Sequence, residues 1–393
     1  MDAYVVDFMR TAFSRSRPRD PEKDVFNSIR MDEALAQLIK ELVVRTGINP
    51  HEIDDVITGC SFQVGENWLY GGRMPVLLAG LPVEVPAMAI DRQCSSSMAA
   101  VAMGALEVMS GNSRAVLAGG MEHMTHVPMG NNPMVLYNQK LLTDPEYQEY
   151  HMDVGFNMGL TAEKLARKDG ISREEMDRLA FRSHRLATDA LDRGWFRDEI
   201  MPLEVKQDGN DLTVDTDQSI RRDTTMEGLR SLKPAFSPDG LVTAGNSSPL
   251  NAGASMLMVM DGKTMDQYGI RPMARIVSFG WAGVDPSVMG EGPVPATRKA
   301  LRKAGLTVDD IDYWEINEAF AVVVLNAIRK LGIDPEKVNI HGGAIAIGHP
   351  LGATGARLVG TLSRILNEKK GRYGVATLCV GGGQGYTTIL ERV

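Results

Sequence analysis

Arg45-Thr46-Gly47-Ile48-Asn49-Pro50-His51-Glu52-Ile53-Asp54 and Lys303-Ala304-Gly305-Leu306-Thr307-Val308-Asp309-Asp310-Ile311-Asp312 are two versions of one phrase. Gly47 aligns with Gly305 and Ile53 with Ile311, without a gap. Each phrase follows apolar residues at helical spacing, over Met31–Val44 and Ala296–Lys303. Each leads into a short strand pattern, Val56–Thr58 and Tyr313–Ile316. A glycine-stopped helix followed by a strand is therefore expected twice, and the chain reads as a duplication. Two ordinary α/β stretches alike by chance are the competing explanation.

Further along, the match continues. Ser95–Met109 carries apolar residues at Met98, Val101, Ala105 and Val108, ends at Gly111-Asn112, and gives way to a strand, Ala115–Ala118, that runs into Gly119-Gly120. Gly355–Leu366 has the same character, and the strand Gly374–Leu378 runs into Gly381-Gly382-Gly383. Tyr4–Phe8 reads as a first strand. Alternating strands and helices imply a mostly parallel sheet covered by helices. Three parts follow: residues 1–120 (completed by about 249–270), an inserted stretch over 121–248, and a second copy over 271–393. The insert is Met-rich over 121–134, includes a Gly-Asn-Asn-Pro stretch near 130, and is strongly charged from Glu163 to Arg197. Helices are expected in it around Ala162–Lys168 and Arg173–Arg193.

Composition narrows the function classes. The 393 residues are 44% hydrophobic, enough to bury a large core. A net charge of −8 argues against nucleic acid as a partner. No apolar run approaches the roughly 20 residues that span a bilayer, and no targeting segment is evident, so a cytoplasmic protein is expected. Three cysteines, Cys60, Cys94 and Cys379, cannot make a disulfide framework.

The repeat puts chemistry at matching places. Aligning Gly104 with Gly360 carries Cys94 onto Pro350, one residue past His349. Both then sit just before equivalent helices, whose N-termini offer unpaired N–H groups to a thiolate or an oxyanion. That offer is insufficient alone. Ionising a free cysteine at pH 7 needs about 2.7 kcal/mol, against about 0.3–1 kcal/mol from a helix terminus. A base is required, and His349 is the best placed of seven histidines. Cys379 closes the last strand, before glycines that expose backbone N–H groups. Asn317-Glu318 ends the strand Tyr313–Ile316, an edge where α/β sheets place ligands. Cys60 reads as buried structure and His184 as a solvated residue of the charged helix. His123 and His126 hint at a metal pair, but no cysteine or carboxylate set completes it, so no metal is expected.

Asp91-Arg92-Gln93-Cys94-Ser95-Ser96-Ser97-Met98 resembles the nucleophile segment of thiolases. Asn317-Glu318-Ala319-Phe320, Gly342–Pro350 and Cys379–Gly383 resemble that family's three other catalytic segments. Thr243–Ser248 and Gly290–Ala296 look like two more of its signatures, all in the right order. The resemblance implies duplicated α/β halves with helices sandwiched between mixed β-sheets, plus an inserted loop domain.

It also implies an acyltransferase that cleaves 3-ketoacyl-CoA with CoA, or runs the reverse condensation. Cys94 would hold the acyl group and His349 would activate the thiols. Cys379 would move the α-carbon proton. Asn317 and His349 would hold a water for the enolate oxygen, and the N–H groups of Cys94 and Gly381 would form a second oxyanion hole. Contacts to coenzyme A, a co-substrate and not a resident cofactor, would come from Asn157, Met158, Arg221, Ser248, Met289, Ala319 and Phe320. Relatives are dimers or tetramers, and some work beside a hydratase–dehydrogenase subunit.

Ser95 and Ser97 depart from the glycines common there, and serines at a helix start are good caps. Asn157 stands where acetyl-transferring members carry His; with Met121–Met129 it leans toward degradative 3-ketoacyl-CoA thiolases. An acetoacetyl-CoA-specific biosynthetic enzyme is the alternative. A carrier-protein condensing enzyme normally has His in the place of Cys379, and a non-catalytic scaffold would not keep every catalytic position.

Overall fold

The computed structural model describes residues 1–130 and 132–393. Asn131, within the Met-rich segment and its Gly-Asn-Asn-Pro stretch, lies outside the described residues.

The expected helices form with small shifts of boundary. They span Met31–Thr46, Ser96–Ser110, Met158–Lys168, Arg173–Asp192, Pro293–Ala304 and Leu351–Lys369. Gly47 and Gly305 both take φ of +66° as left-handed caps of their helices, so the repeated phrase is a repeated structure. Strands are β1 (Tyr4–Thr11), β2 (Asp55–Gly59), β3 (Ala87–Ile90), β4 (Ala115–His123), β5 (Ile200–Met201), β6 (Leu203–Gln207), β7 (Asn210–Val214), β8 (Ala252–Met260), β9 (Ala274–Gly283), β10 (Tyr313–Ile316), β11 (Tyr373–Val380) and β12 (Gln384–Glu391).

The main sheet runs β10-β11-β12-β9-β1-β8-β4-β2-β3. Outward from the β9/β1 junction, the pairings mirror each other. β9/β12 and β12/β11 are antiparallel and β11/β10 parallel; β1/β8 and β8/β4 are antiparallel and β4/β2 parallel. The junction itself is a short ladder, Tyr4 and Val5 against Arg275 and Ala274. The sheet is therefore mixed and not mostly parallel. β8 and β12 enter between parallel neighbours by antiparallel pairing. β8 is a nearly continuous apolar run, and β12, Gln384-Gly385-Tyr386-Thr387-Thr388-Ile389-Leu390-Glu391, has no strict alternation, so neither carries a period that announces it. Cys379 also does not close the last strand. Val380 pairs with Gln384 across a tight hairpin, and β12 follows. Gly382 and Gly383, with φ of +80° and +78°, supply the left-handed backbone this turn needs.

Two central helices carry the site. Leu351–Ser363 is buried throughout and packs on β4 and β8 of one copy and on β10 and β11 of the other. Leu358, Val359, Leu362, Ile365 and Leu366 are buried there, each contributing roughly 1.5–3 kcal/mol by leaving water. Ser96–Ser110 lies alongside, and Ser97 Oγ accepts the Ala356 N–H at 2.9 Å, so the serine joins the two helices. The stretch between the copies is tied back to β1 by Arg10. Its buried guanidinium donates to Glu199 at 2.8 Å and to both oxygens of Asp217 at 2.7 and 2.9 Å. Removing one partner of such a pair strands a buried charge, at about 3–5 kcal/mol. No helix among the described residues is long and apolar enough to cross a membrane.

Candidate active site

The turn from β3 into the first central helix holds Cys94. Gln93 takes φ of +44°, strained for a residue with a Cβ, and Asp91 Oδ1 accepts its N–H at 2.6 Å. The serines do not cap the helix in the ordinary sense. Ser95 Oγ donates to the Arg92 carbonyl at 3.0 Å and Ser96 Oγ to the Gln93 carbonyl at 2.6 Å, bracing the turn from inside. Cys94 is 7% exposed, and its sulfur faces the N–H groups of Gly381 and of Cys94 itself.

His349 is fixed at three points. Its N–H donates to Asn251 Oδ1 at 2.7 Å, and its Nδ1 lies 2.6 Å from Thr354 Oγ1. The Thr354 hydroxyl has one proton and donates it to the Pro350 carbonyl at 2.8 Å. Nδ1 must then be the donor, which leaves Nε2 with a lone pair. Nε2 lies 3.3 Å from Asn317 Nδ2, and the Asn317 N–H donates to Thr377 O at 3.0 Å, two residues before Cys379. Asn317 Oδ1, fully buried, meets no protein partner among the described residues. Cys379 sits close enough to Cys94 that a negative charge on Cys94 raises the Cys379 thiol. Cys94, Gly381 and Cys379 are thus neighbours, and Asn317 and His349 form a second pair. The two sets are joined through the bond of Asn317 to Thr377 on the strand that carries Cys379.

Both thiols and the imidazole rest neutral. Burial pushes Cys94 up to about 11, against the backbone N–H groups that favour its thiolate. Burial and then Arg357 push His349 down to about 3. Burial and Cys94 raise Cys379 further. The helix terminus is outweighed by burial, so proton transfer from Cys94 to His349 at rest is uphill. Transfer has to accompany attack on a thioester.

Residues expected to touch coenzyme A fall into two groups. Met289, Ala319, Phe320 and Cys379 share one apolar cluster, against which Met158 packs. Ser248 joins it by donating its N–H to Ala319 O at 3.0 Å, and Asn157 Oδ1 caps the helix Met158–Lys168. Arg221 is exposed and stands apart from that cluster. Its N–H donates to His184 Nδ1 at 3.2 Å, and Ser219, two residues earlier, bonds Asn251, the partner of His349. His184 is therefore not solvated: it is 5% exposed and burial pushes it down to about 4.

Several side chains escaped sequence reasoning. Glu66 brings a carboxylate to His123 and His126, completing a three-group cluster. His123 and His126 stack with ring centroids 3.7 Å apart and planes 10° from parallel. Lone pairs lie in the ring planes, so the two point along parallel sheets and do not converge on one ion. Glu66 instead accepts from His126 Nδ1 at 2.5 Å. Cys60 is buried, its thiol 3.5 Å from Glu122. Glu318, fully buried, accepts from Ser183 Oγ at 2.6 Å, Asn339 Nδ2 at 2.9 Å and Ile345 N at 3.1 Å, so it anchors the segment leading to His349. Only the motif position of Glu318 was visible in advance.

Residues 3–263 match the family described as Thiolase, N-terminal domain, and residues 270–392 match Thiolase, C-terminal domain. The chain belongs to the thiolase family. It is 43% identical to a 3-ketoacyl-CoA thiolase of Marinobacter nauticus over 398 aligned residues, covering all of this chain and 98% of that protein. A 3-ketoacyl-CoA thiolase of Vibrio vulnificus is also 43% identical, over 99% of this chain and 98% of its own length. Among solved structures, the thiolase fold recurs in the Bacillus anthracis acetyl-CoA acetyltransferase, with a TM-score of 0.89 at 36% identity, over 100% of this chain and 99% of that one.

Proposed function

We propose that this thiolase cleaves 3-ketoacyl-CoA with CoA, giving acetyl-CoA and a shortened acyl-CoA through an acyl group on Cys94. The observation that carries the reading is the setting of the Cys94 sulfur, against two backbone N–H groups and beside a second buried thiol. The names of the full-length relatives support the 3-ketoacyl-CoA substrate.

In the first half-reaction Cys94 attacks the 3-keto carbon while its proton passes to Nε2 of His349. The oxygen that becomes negative meets the N–H groups of Cys94 and Gly381. Breaking the C–C bond releases the acetyl-CoA enolate, whose oxygen meets Asn317 and His349 through water. The Cys379 thiol protonates its carbon; a thiol held neutral by burial suits a donor. Before the second half-reaction the proton on His349 returns to the Cys379 thiolate. CoA then enters, His349 takes the CoA thiol proton, the CoA sulfur displaces Cys94, and His349 gives that proton to the departing Cys94 sulfur. The cluster of Met158, Met289, Ala319 and Phe320 would hold the pantetheine arm and acyl chain, and Arg221 the nucleotide phosphates.

Acyl trapping tests the reading. Incubated with an acyl-CoA alone, the protein gains acyl mass on Cys94, read by peptide mass spectrometry, and Cys94→Ser gains none. Acyl mass on Cys60 instead removes the assignment.

A further inference from the structure

Glu122, at the end of β4, is among the described residues the one carboxylate that touches the approaches to both Cys94 and His349. It is fully buried, and every partner it has is a donor. Oε1 accepts from Phe62 N at 3.1 Å, from Asn67 Nδ2 at 3.1 Å and from the Cys60 thiol at 3.5 Å. Oε2 accepts from Ser61 N and from Gly352 N, each at 2.9 Å. Five donors and no acceptor favour the ionised carboxylate. Burial opposes this, and the N–H bonds offset it.

Two of these bonds lead to the reacting groups. Ser61, held by its N–H, donates its hydroxyl to the Gln93 carbonyl at 2.7 Å, and Gln93 is the strained residue before Cys94. Gly352 lies in the first turn of the central helix that begins two residues after His349. Chain connectivity alone leaves these turns independent, because they belong to different copies. Glu122 is also close enough to disfavour a thiolate at Cys94, with Asp91 acting in the same sense from the turn after β3. Burial and the N–H groups of Gly381 and Cys94 act on the sulfur more strongly than either carboxylate, so Glu122 and Asp91 adjust the thiol and do not dominate it.

We propose that Glu122 is a positioning residue: one carboxylate whose hydrogen bonds lock the turn carrying Cys94 to the helix behind His349 and set a negative charge in the neighbourhood of the nucleophile. This rests on the assignment of Cys94 as acyl acceptor. The role separates into charge, which Glu122→Asp keeps and Glu122→Gln removes, and reach, which Glu122→Asp shortens and Glu122→Gln keeps while turning one acceptor oxygen into a donor. Ser61→Ala cuts the link to Gln93 and leaves the charge.

The test follows two readouts in each full-length variant: the pH midpoint of Cys94 alkylation by iodoacetamide, resolved by peptide mass, and the single-turnover rate of Cys94 acylation by acetyl-CoA. Glu122→Gln is expected to move the alkylation midpoint down by about half to one pH unit and to slow acylation by about 100-fold. Glu122→Asp and Ser61→Ala are expected to keep the midpoint and slow acylation by about tenfold. A wild-type midpoint and an acylation rate within about twofold in Glu122→Gln would overturn the proposal. Should that variant fail to fold, full acylation rates in both other variants would do the same. Wild-type protein that takes no acyl group on Cys94 would instead sink the functional assignment, which separates the two failures.

Discussion

The loop after β2 and the loop after β10 occupy matching places in the two copies, yet they do opposite work. After β2 comes Cys60-Ser61, a buried thiol and a hydroxyl that grip a carboxylate and a turn. After β10 comes Asn317-Glu318, whose amide faces His349 and whose carboxylate holds the segment running to it. Duplication supplied two equivalent strand ends. Only one was left with a side chain aimed at the reacting centre, and the other became its support. The lesson is that a repeated fold fixes where a residue sits but leaves its chemistry to the partners brought by other strands.

The largest break of this comparison falls at the two remaining thiols. Cys379→Ala should still take acyl mass on Cys94 but lose C–C cleavage by about 10³-fold or more, followed as loss of the acetoacetyl-CoA enolate absorbance on adding CoA. Cleavage at the wild-type rate would mean another proton donor. Glu318→Ala should come next: it orphans the Ser183, Asn339 and Ile345 donors, costing about 2–4 kcal/mol in denaturant unfolding, and loosens the segment before His349 enough to lower kcat. An unchanged midpoint would show that water replaces the carboxylate. Cys60→Ala should cost only about 1 kcal/mol and leave turnover within about twofold. A loss like that of Cys379 would make the copies chemically alike.

The smallest expected effect is that of pH. With His349 near 3 and Cys94 near 11 in the free enzyme, protonation of the base and ionisation of the nucleophile both fall outside pH 6–9. A kcat/KM profile governed by these two groups is flat there. A bell centred near neutrality would show that the pair rests charged.

Much of this site was legible in the chain. Cys94, His349, Cys379 and Asn317 each stand at the end or start of an element whose period or glycine stop is a local signal. The apolar spacing of Ser95–Met109 and Gly355–Leu366 placed Cys94 and His349 before two like helices. The resemblance of six ordered segments then supplied their expected roles. The burial of His184 was not legible, because its helix is densely charged and only packing against the Arg221 loop shows which face is covered. Glu66 was missed for the same reason: it meets His126 from sixty residues away, at a turn with no periodic signal.

What the sequence by itself determined are the main helices with their glycine stops, the repeated phrase and the candidates for the reacting side chains. These follow from patterns that repeat within a turn of helix or a step of strand. Only the tertiary structure decided the antiparallel entry of β8 and β12, the mutual placement of both sulfurs, and the neutral resting state that burial imposes. It also joined Glu122 to Gly352 across 230 residues. Side-chain periodicity reports which face of an element is apolar; it carries no information about which distant backbone amide a buried carboxylate will meet.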